Sequence, residues 1–542
     1  MLTKKKKENY ANRFAIILLV ALVVNLLFYG LPDKVRQIEI KKVDLLADIR
    51  ETDDENGLEL TTEQEEVAID EAAIAGAKVQ KASAEAASAA VSKDVVTFNL
   101  PKEEAMPAPQ PDNSETKPDK RTDNTNTANN ANNSDAQNQK DKTVSDNQES
   151  KTAKASNKDK DKDDKSAANT NIEDFTTSRT GLRRFFAALN NIRNLGRPVR
   201  IAFLGDSFIE GDIVVADFRA RMQERFGGRG VGFVPVESVV AQYRPTIKQS
   251  ADGWKSYSII KDKSRKYVLS GMVFEPKANV ASISFQTVDM YSDLREVSSL
   301  KFIYSESITT DLILKCEDET STHKLPATDK VTQYEIKGNF TKGAITFNNA
   351  AGLKALGIAL EDNQGVVVDN FSLRGNSGTV MSELDVESCR ELQYIRPYDL
   401  IILQYGLNVA NEDMLDYGWY RNRMVAVIEH IQDCFSGSDI LLLGVSDRSQ
   451  KRGSGGYGTM PAVLSLLRAQ RQTAKNSEVA FWSIFAAMGG QDSMVKYVNS
   501  NWASKDYTHL SFRGGREVAN ALYDAIINEK GEYDSDERLV ER

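Results

Sequence analysis

The chain has 542 residues, enough for two or three domains, and a formal net charge of -9 at pH 7. Beyond its first residues it has no run of lysine and arginine interleaved with aromatic residues, which excludes the electrostatic footprint of a nucleic-acid-binding protein. Its three cysteines, Cys316, Cys389 and Cys434, are an odd number without metal-ligand spacing, so neither a disulfide framework nor a zinc site is indicated. A bridge between Cys389 and Cys434 stays open if the folded part lies in an oxidising compartment.

The N-terminus combines a basic cluster with an apolar stretch. Lysines at residues 4–7 and Arg13 precede residues 14–31, which are uncharged and long enough to cross a bilayer as a helix. A cleaved signal peptide is the alternative, but the run lacks the Ala-x-Ala pattern of a cleavage site. Because the basic residues come first, the positive-inside rule keeps the N-terminus cytoplasmic and exports the rest. We therefore expect a transmembrane anchor within residues 1–34.

Residues 35–174 lack the composition of a packed domain. Residues 61–96 are rich in alanine and glutamate, which favour a solvated helix. From about residue 101 the chain is mostly Asn, Asp, Lys, Ser, Thr and Pro, so it buries too little apolar surface to offset the entropy cost of ordering. The composition predicts a disordered tether that gives a membrane-held domain reach.

The first segment that carries chemistry is a serine at the end of an apolar run. Residues 199–204 have the character of a short buried strand, and residues 213–226 have helical apolar spacing. Gly205, Asp206 and Ser207 begin the turn between them, where backbone N–H groups and the helix dipole favour developing negative charge. In isolation, a Gly-Asp-Ser turn is as often a plain helix cap as a nucleophile.

Two other segments have a recognisable pattern without a catalytic motif. Residues 235–369 contain short alternating runs separated by turn residues, which predict antiparallel strands. Trp254 and Tyr257 in this region could stack on a sugar, although such pairs more often pack in part against the protein. Residues 451–460 are glycine-rich but lack the ending of a phosphate-binding loop, and we interpret them as a mobile loop near the site.

Two turns after apolar runs offer hydrogen-bond donors to an oxyanion. In the first turn Gly375 and Gly378 compete for this role, and the local Asn-Ser-Gly-Thr pattern favours Gly378. Residues 399–404 predict a buried strand that delivers Asn408, whose amide can donate, while Gly406 allows close backbone approach. The alternative for Asn408 is an ordinary turn asparagine.

An acid and an imidazole follow near the C-terminus. Asp506 and His509 lie three positions apart, just before a helical pattern. This spacing lets the carboxylate accept a hydrogen bond from Nδ1 of His509 and leaves Nε2 to deprotonate Ser207. The chain has three histidines. His430 falls in an amphipathic helix and His323 in a polar loop, so His509 is the base by elimination.

These four segments, Gly-Asp-Ser, a glycine turn, Gly-x-Asn and Asp-x-x-His, resemble in their order the SGNH (GDSL-type) hydrolase superfamily. The resemblance covers roughly residues 183–234 and 375–527. It implies a doubly wound parallel sheet and no metal or organic cofactor. The residues that it assigns are Ser207, His509 and Asp506 as the triad, and Gly378 and Asn408 as oxyanion donors. The backbone amide of Ser207 is the third expected donor, and Gly205, Asp206, Gly375 and Gly406 are expected to support the site.

A closer similarity is to the peptidoglycan O-acetylesterase branch of that superfamily. Residues 205–212, 226–233 and 487–490 look like blocks of this branch. Phe208 stands where many members have histidine, a departure that leaves the triad intact but bears on the substrate. The branch carries a carbohydrate-binding-like β-sandwich between its serine and glycine blocks, and the short strands of residues 235–369 fit such an insert.

The resemblance thus implies an α/β hydrolase domain at residues 175–234 and 370–530, a β-sandwich at 235–369 and a polar tail at 531–542. The expected activity is that of a membrane-anchored serine esterase in the bacterial periplasm. It would remove O-acetyl or similar short acyl groups from a cell-wall or envelope glycan such as peptidoglycan. The alternatives are an O-acetyltransferase with the same triad and a non-catalytic glycan-binding envelope protein.

Overall fold

The computed structural model describes residues 169–453 and 455–540. The predicted transmembrane anchor and residues 35–168 of the predicted tether lie outside these residues. The last part of that tether, residues 169–174, is described and belongs to the folded part, because Ile172 is buried in the core and Glu173–Asp174 form an edge strand of the central sheet. Within the two described ranges, no helix combines the length and the apolar character needed to cross a bilayer.

Helices and strands alternate in the α/β part of the chain, whereas the insert is built from strands. The helices are α1 (Arg183–Asn190), α2 (Val215–Phe226), α3 (Val386–Ile395), α4 (Gly418–Cys434), α5 (Pro461–Asn476), α6 (Ile484–Ala487), α7 (Ser493–Asn499) and α8 (Phe512–Val540). The strands are β1 (Glu173–Asp174), β2 (Val199–Gly205), β3 (Gly232–Pro235), β4 (Lys248–Asp252), β5 (Trp254–Ser258), β6 (Met272–Pro276), β7 (Val280–Gln286), β8 (Val297–Glu306), β9 (Thr310–Cys316), β10 (Glu319–Leu325), β11 (Thr332–Phe340), β12 (Lys342–Asn348), β13 (Lys354–Glu361), β14 (Val366–Ser372), β15 (Leu400–Gln404), β16 (Asp439–Gly444), β17 (Ser449–Lys451), β18 (Tyr457–Thr459) and β19 (Ala480–Ser483).

A six-stranded sheet of order β1-β19-β16-β15-β2-β14 forms the centre of the α/β part. Its neighbours pair in parallel except for the antiparallel edge strand β1. Strands β2, β15 and β16 are buried along their whole length, as continuous apolar strands covered on both faces must be. Because β2 comes early in the chain yet lies between β14 and β15, its carboxyl end is a topological switch point, where α/β sheets bind ligands.

Two groups of helices pack with this sheet. The first contains α1, α2 and α8, and the second contains α3, α4 and α5. The strand predicted at residues 199–204 and the helix predicted at 213–226 are confirmed as β2 and α2. Helix α8 extends to Val540, so residues 531–540 of the expected polar tail are helical. Of residues 451–460, expected to be a mobile loop, Lys451 lies in strand β17 and Tyr457–Thr459 form strand β18, which pairs with β17.

The insert consists of two antiparallel sheets with a shared apolar core. Their strand orders are β10-β9-β12-β7-β4 and β11-β8-β13-β6-β5, with β3 also pairing with β13. Burial alternates along β7 and β12, since successive side chains point to opposite faces of a strand. Phe347 packs between Phe302 and Trp254 in the core. Trp254 is buried and donates its indole N–H to the carbonyl of Ser282, so the alternative of a sugar-stacking Trp254 is wrong.

A buried ionic cluster joins the insert to the central sheet. Glu361 of β13 accepts hydrogen bonds from Arg200 of β2 at 2.8 Å and from Lys301 of β8 at 2.7 Å. Arg396 donates to Glu361 at 2.6 Å and to Asp369 of β14 at 2.7 Å. Burial favours protonation of Glu361, but the surrounding cations hold its pKa well below the ordinary value. The carboxylate is therefore charged and links strands of both parts.

Replacing Glu361 with glutamine is expected to destabilise the protein by about 3–5 kcal/mol, because buried cations would lose their counter-charge. The thermal midpoint of the full-length chain measures this effect. Glu306→Gln is the matched control, since the Lys354–Glu306 pair at 2.7 Å is partly exposed and such pairs contribute at most about 1 kcal/mol. Equal shifts for the two variants would contradict the role of the cluster.

Candidate active site

Three neighbouring strands bring three of the predicted segments to one edge of the central sheet. Ser207 follows β2, the turn that contains Gly378 follows β14, and Asn408 follows β15. Since these strands are parallel, their carboxyl ends meet at the same edge. The fourth segment, which contains His509, lies in the loop before α8 and also reaches this edge.

Ser207, His509 and Asp506 form a hydrogen-bonded relay. The Oγ atom of Ser207 lies 3.1 Å from Nε2 of His509. The Nδ1 atom of His509 lies 2.6 Å from Oδ2 of Asp506. A carboxylate cannot donate a proton, so Nδ1 carries the hydrogen and Nε2 of the neutral ring is left as the acceptor for the serine hydroxyl.

Backbone contacts hold the acid of this relay in place. Oδ1 of Asp506 accepts the N–H groups of Thr508 at 2.9 Å and His509 at 3.0 Å, and it also accepts the hydroxyl of Ser504. Tyr507 has a left-handed φ of 57°, which closes the tight turn between acid and imidazole. The carboxylate thus has a fixed orientation before any substrate binds.

The relay shifts the pKa values of its two titratable groups in opposite directions. The hydrogen bond to Asp506 raises the pKa of His509 above its ordinary value, against the opposing effect of burial. Burial favours a protonated Asp506, but the hydrogen bonds from His509 and Ser504 hold its pKa below the ordinary range. The acid is therefore ionised wherever the imidazole titrates.

The side-chain amide of Asn408 lies between two acceptors. Its Nδ2 donates to Oδ2 of Asp206 and to the carbonyl of Asn376, both at 3.0 Å. Since a carboxylate and a carbonyl only accept, the amino end of the amide must point toward them. Both amide hydrogens of Asn408 therefore have acceptors in the ligand-free site.

The buried side chain of Asp206 supports the position of the Asn408 amide. It is 1% exposed, and its Oδ1 accepts the N–H of Phe208 at 2.9 Å. Burial raises the pKa of Asp206 to about 6, although the Phe208 hydrogen bond opposes the shift. The carboxylate thus holds the turn after β2 and the amide of Asn408 at the same time.

The two candidate oxyanion glycines differ in their surroundings. Gly378 is buried with φ at 91°, and an added Cβ would lie 2.8 Å from the ring of Tyr405, so only glycine fits there. Its N–H donates to Oδ1 of Asn376 at 2.8 Å. Gly375 lies in an exposed part of the turn, with nothing within 4 Å of such a Cβ. The structure thus brings Gly378, and not Gly375, into the hydrogen-bond network that holds Asn408.

The remaining supporting glycines lie at strand ends. Gly205 is the last residue of β2, and a Cβ there would lie 2.6 Å from Oε1 of Gln404. Gly406 follows β15 with φ at 125°. Both positions permit the tight turns that place Ser207 and Asn408 at the sheet edge.

Sequence reasoning missed two residues of the site. Asn376 is 1% exposed and links Gly378 to Asn408 through its side chain and its carbonyl. Arg374 pairs with Glu210 at 2.6 Å, and its charge acts to lower the pKa of His509. Both lie in the turn that the sequence had flagged for its glycines, but the partners that reveal their roles are distant in the chain.

The other two histidines lie apart from the relay. His430, on α4, contacts the carbonyl of Leu384 through Nε2 at 2.9 Å, which agrees with a packing histidine. His323 is on strand β10 and not in a loop, and its ring packs against Tyr334. Within the described part of the chain, no cluster of three or more His, Cys, Asp or Glu residues is arranged to hold a metal ion.

Comparison with solved structures finds a peptidoglycan O-acetylesterase with a TM-score of 0.55 and 21% identity, over 67% of this chain and 99% of that one. This chain has the SGNH hydrolase fold. A family two carbohydrate esterase from Cellvibrio japonicus has 12% identity over 53% of this chain and 98% of that one, with a TM-score of 0.23. A GDSL-like lipase from Parabacteroides merdae has 17% identity over 30% and 72%, with a TM-score of 0.22. These two scores are too low to support an inference about this chain.

No family model matches the chain, and no curated protein matches it. At 21% identity the similarity to the O-acetylesterase establishes the fold alone. What the SGNH fold does in this chain must therefore be argued from its own residues.

Proposed function

We propose that this chain is a membrane-anchored serine esterase that removes O-acetyl or similar short acyl groups from a cell-wall or envelope glycan. The observation that carries the proposal is the relay from Ser207 Oγ to His509 Nε2 at 3.1 Å and from His509 Nδ1 to Asp506 at 2.6 Å. This is the geometry that activates a serine hydroxyl as a nucleophile.

The first half-reaction transfers the acyl group to the protein. Oγ of Ser207 attacks the ester carbonyl while Nε2 of His509 takes the hydroxyl proton, and Asp506 stabilises the imidazolium that forms. When the tetrahedral intermediate collapses, the sugar oxygen leaves and takes the proton from His509. Water then attacks the acyl-enzyme with His509 as base, which releases the acid and restores Ser207.

The backbone N–H groups of Ser207 and Gly378 and the amide of Asn408 are the proposed donors to the oxyanion. In the ligand-free site Gly378 and Asn408 donate to Asn376 and Asp206. These contacts hold both donors at the sheet edge, and binding of the acyl oxygen would share or replace them. Donors oriented in advance stabilise the oxyanion at little cost in reorganisation.

Solvent access favours hydrolysis over acyl transfer. The side chains of His509 and Asp506 are 36% and 42% exposed. A transferase must keep water from its acyl-enzyme until the acceptor arrives. With the general base open to solvent, water can reach the acyl group of Ser207.

Two observations support the glycan and the location. A solved structure that shares this fold over two thirds of the chain is that of a peptidoglycan O-acetylesterase. Residues 14–31 have the composition of a membrane span, with basic residues before it, which would place the hydrolase part in the periplasm. Membrane fractionation, and protease digestion of the intact and permeabilised cell, would test this location.

Acetate release by the full-length chain in mild detergent tests the activity. We expect release from p-nitrophenyl acetate and from O-acetylated peptidoglycan, and loss of both in Ser207→Ala. Peptidoglycan deacetylated by mild alkali is the substrate control. Release that persists in Ser207→Ala, or that is absent from wild type with both substrates, would overturn the esterase. Release from the small ester alone would show that peptidoglycan is not the substrate. Acetyl transfer to added glycan that is faster than hydrolysis would indicate a transferase.

Asn408→Ala is expected to lower kcat on p-nitrophenyl acetate by about 10²–10³-fold, because the transition state loses one oxyanion donor. Steady-state kinetics measures this change, and KM should change much less than kcat. Asn422→Ala, an exposed asparagine on α4, is the matched control. A loss in KM alone would indicate that Asn408 binds the ground state and does not stabilise the oxyanion.

A further inference from the structure

The hairpin β17–β18 is an element that the proposed catalytic relay does not use. Its strands pair antiparallel, and its bend includes Gly455 with φ at 87°. Asp492 anchors the hairpin: Oδ1 accepts the N–H of Thr459 at 2.8 Å, and the carboxylate pairs with Arg452 at 2.7 Å. The hairpin is thus tied at its base to the loop before α7.

Two contacts place this hairpin beside both loops of the candidate active site. Ser449 donates its N–H to the carbonyl of Tyr507 at 3.1 Å, and Tyr507 lies two residues before His509. Arg448, just before β17, directs its guanidinium at carbonyl oxygens on both sides of Asn408, at 3.4 and 3.5 Å. The hairpin therefore borders the space in front of the relay.

An aromatic pair covers the junction of the hairpin and the catalytic loop. The rings of Tyr457 and Tyr507 are nearly parallel, with centroids 3.7 Å apart and an angle of 8° between their planes. Aromatic pairs prefer offset or edge-to-face geometries, so mutual packing alone does not favour this arrangement. Tyr457 remains 41% exposed. Tyr507 covers one face of the ring.

We propose that Tyr457 is a sugar-binding platform, on which a pyranose ring of the glycan stacks while the acyl group of a neighbouring sugar lies at Ser207. The C–H face of a pyranose is apolar, and a rigid tyrosine ring offers a large contact area at low entropy cost. The underlying Tyr507 fixes the platform relative to His509. This inference rests on the proposed esterase function and adds that the substrate is an extended glycan held beyond its reacting sugar.

The test compares two substrates in the full-length chain. The ratio of kcat/KM for O-acetylated peptidoglycan to that for p-nitrophenyl acetate is measured for wild type, Tyr457→Ala, Tyr457→Leu and Tyr457→Phe. We expect the ratio to fall about tenfold or more in the alanine and leucine variants, mainly through KM, and to stay within about twofold in the phenylalanine variant. Tyr394→Ala, which removes an 89% exposed tyrosine on α3, is the matched control.

The leucine variant separates binding from folding, because it keeps apolar bulk over Tyr507 but removes the flat ring. Equal losses on both substrates would show that Tyr457 only positions the hairpin, and an unchanged ratio would show that it does not contact glycan. Either result overturns the platform.

If wild type hydrolyses neither ester, the esterase proposal fails by itself. The platform is then tested by calorimetric titration of soluble peptidoglycan fragments into the wild-type chain. Weaker binding in Tyr457→Ala and Tyr457→Leu than in Tyr457→Phe would support the platform. Equal affinities, or no binding to wild type, would overturn it.

Discussion

Ser207→Ala, His509→Ala and the double variant are expected to lose the same factor in kcat on p-nitrophenyl acetate, on the order of 10⁶-fold. The reason is that a serine hydroxyl 3.1 Å from its base is a nucleophile only together with that base. In a variant that lacks either residue, replacing the other should cause no further loss of kcat. Steady-state kinetics on the full-length chain measures all three losses.

The remaining histidines provide matched controls for the base. His430 contacts a backbone carbonyl beneath α4, and His323 packs on Tyr334 in the insert. We expect His430→Ala and His323→Ala to retain kcat within a few-fold. Losses that multiply in the double variant would show that Ser207 and His509 act independently, which would refute the relay. Thermal midpoints close to that of wild type are required before any loss is assigned to chemistry.

The strand, turn and helix around Ser207 could be predicted because local pattern determines them. An apolar run of branched residues is buried as β2, and the switch to helical spacing marks α2. The loop of Asp506 and His509 was equally accessible, since acid and imidazole are three residues apart and few histidines compete. The resemblance to the SGNH hydrolases implies that these two residues lie next to Ser207. Their spacing in the sequence alone does not.

The hydrogen bonds around Asn408 could not be predicted from the sequence. Its amide lies between Asp206 and Asn376, 202 and 32 residues away along the chain. Nothing in the local pattern of an asparagine after a strand distinguishes this network from an ordinary turn. The same holds for Glu361 and Arg396, whose burial becomes tolerable only because distant strands bring opposite charges together.

The contacts that anchor the glycine-rich hairpin could not be predicted for a related reason. Glycines in residues 451–460 indicate a flexible loop when only the local sequence is considered. The anchors of this segment are Asp492 and Tyr507, about 40 and 50 residues further along the chain. Gly455, with a left-handed φ, lies in the bend between the two anchored strands.

Asp506→Asn is expected to lower kcat by about 10⁴-fold. The relay needs an acceptor 2.6 Å from Nδ1 of His509, so that Nε2 is free to take the serine proton. An asparagine can present its N–H₂ group to Nδ1, which moves the ring hydrogen to Nε2 and removes the base. Asp524→Asn is the matched control, because Asp524 is 60% exposed and pairs with Arg221 on the surface.

The same substitution is expected to shift the pH dependence of the residual activity. Activity requires neutral His509, so kcat/KM rises with pH through the pKa of this residue in the free enzyme. In wild type the hydrogen bond to Asp506 raises that pKa, which places the rising limb above the range of an ordinary histidine. Without the carboxylate the pKa of His509 falls, and the limb moves to lower pH. If kcat falls but the rising limb of the pH profile does not move, another acid raises the pKa of His509. The charged neighbour to replace next would be Asp206.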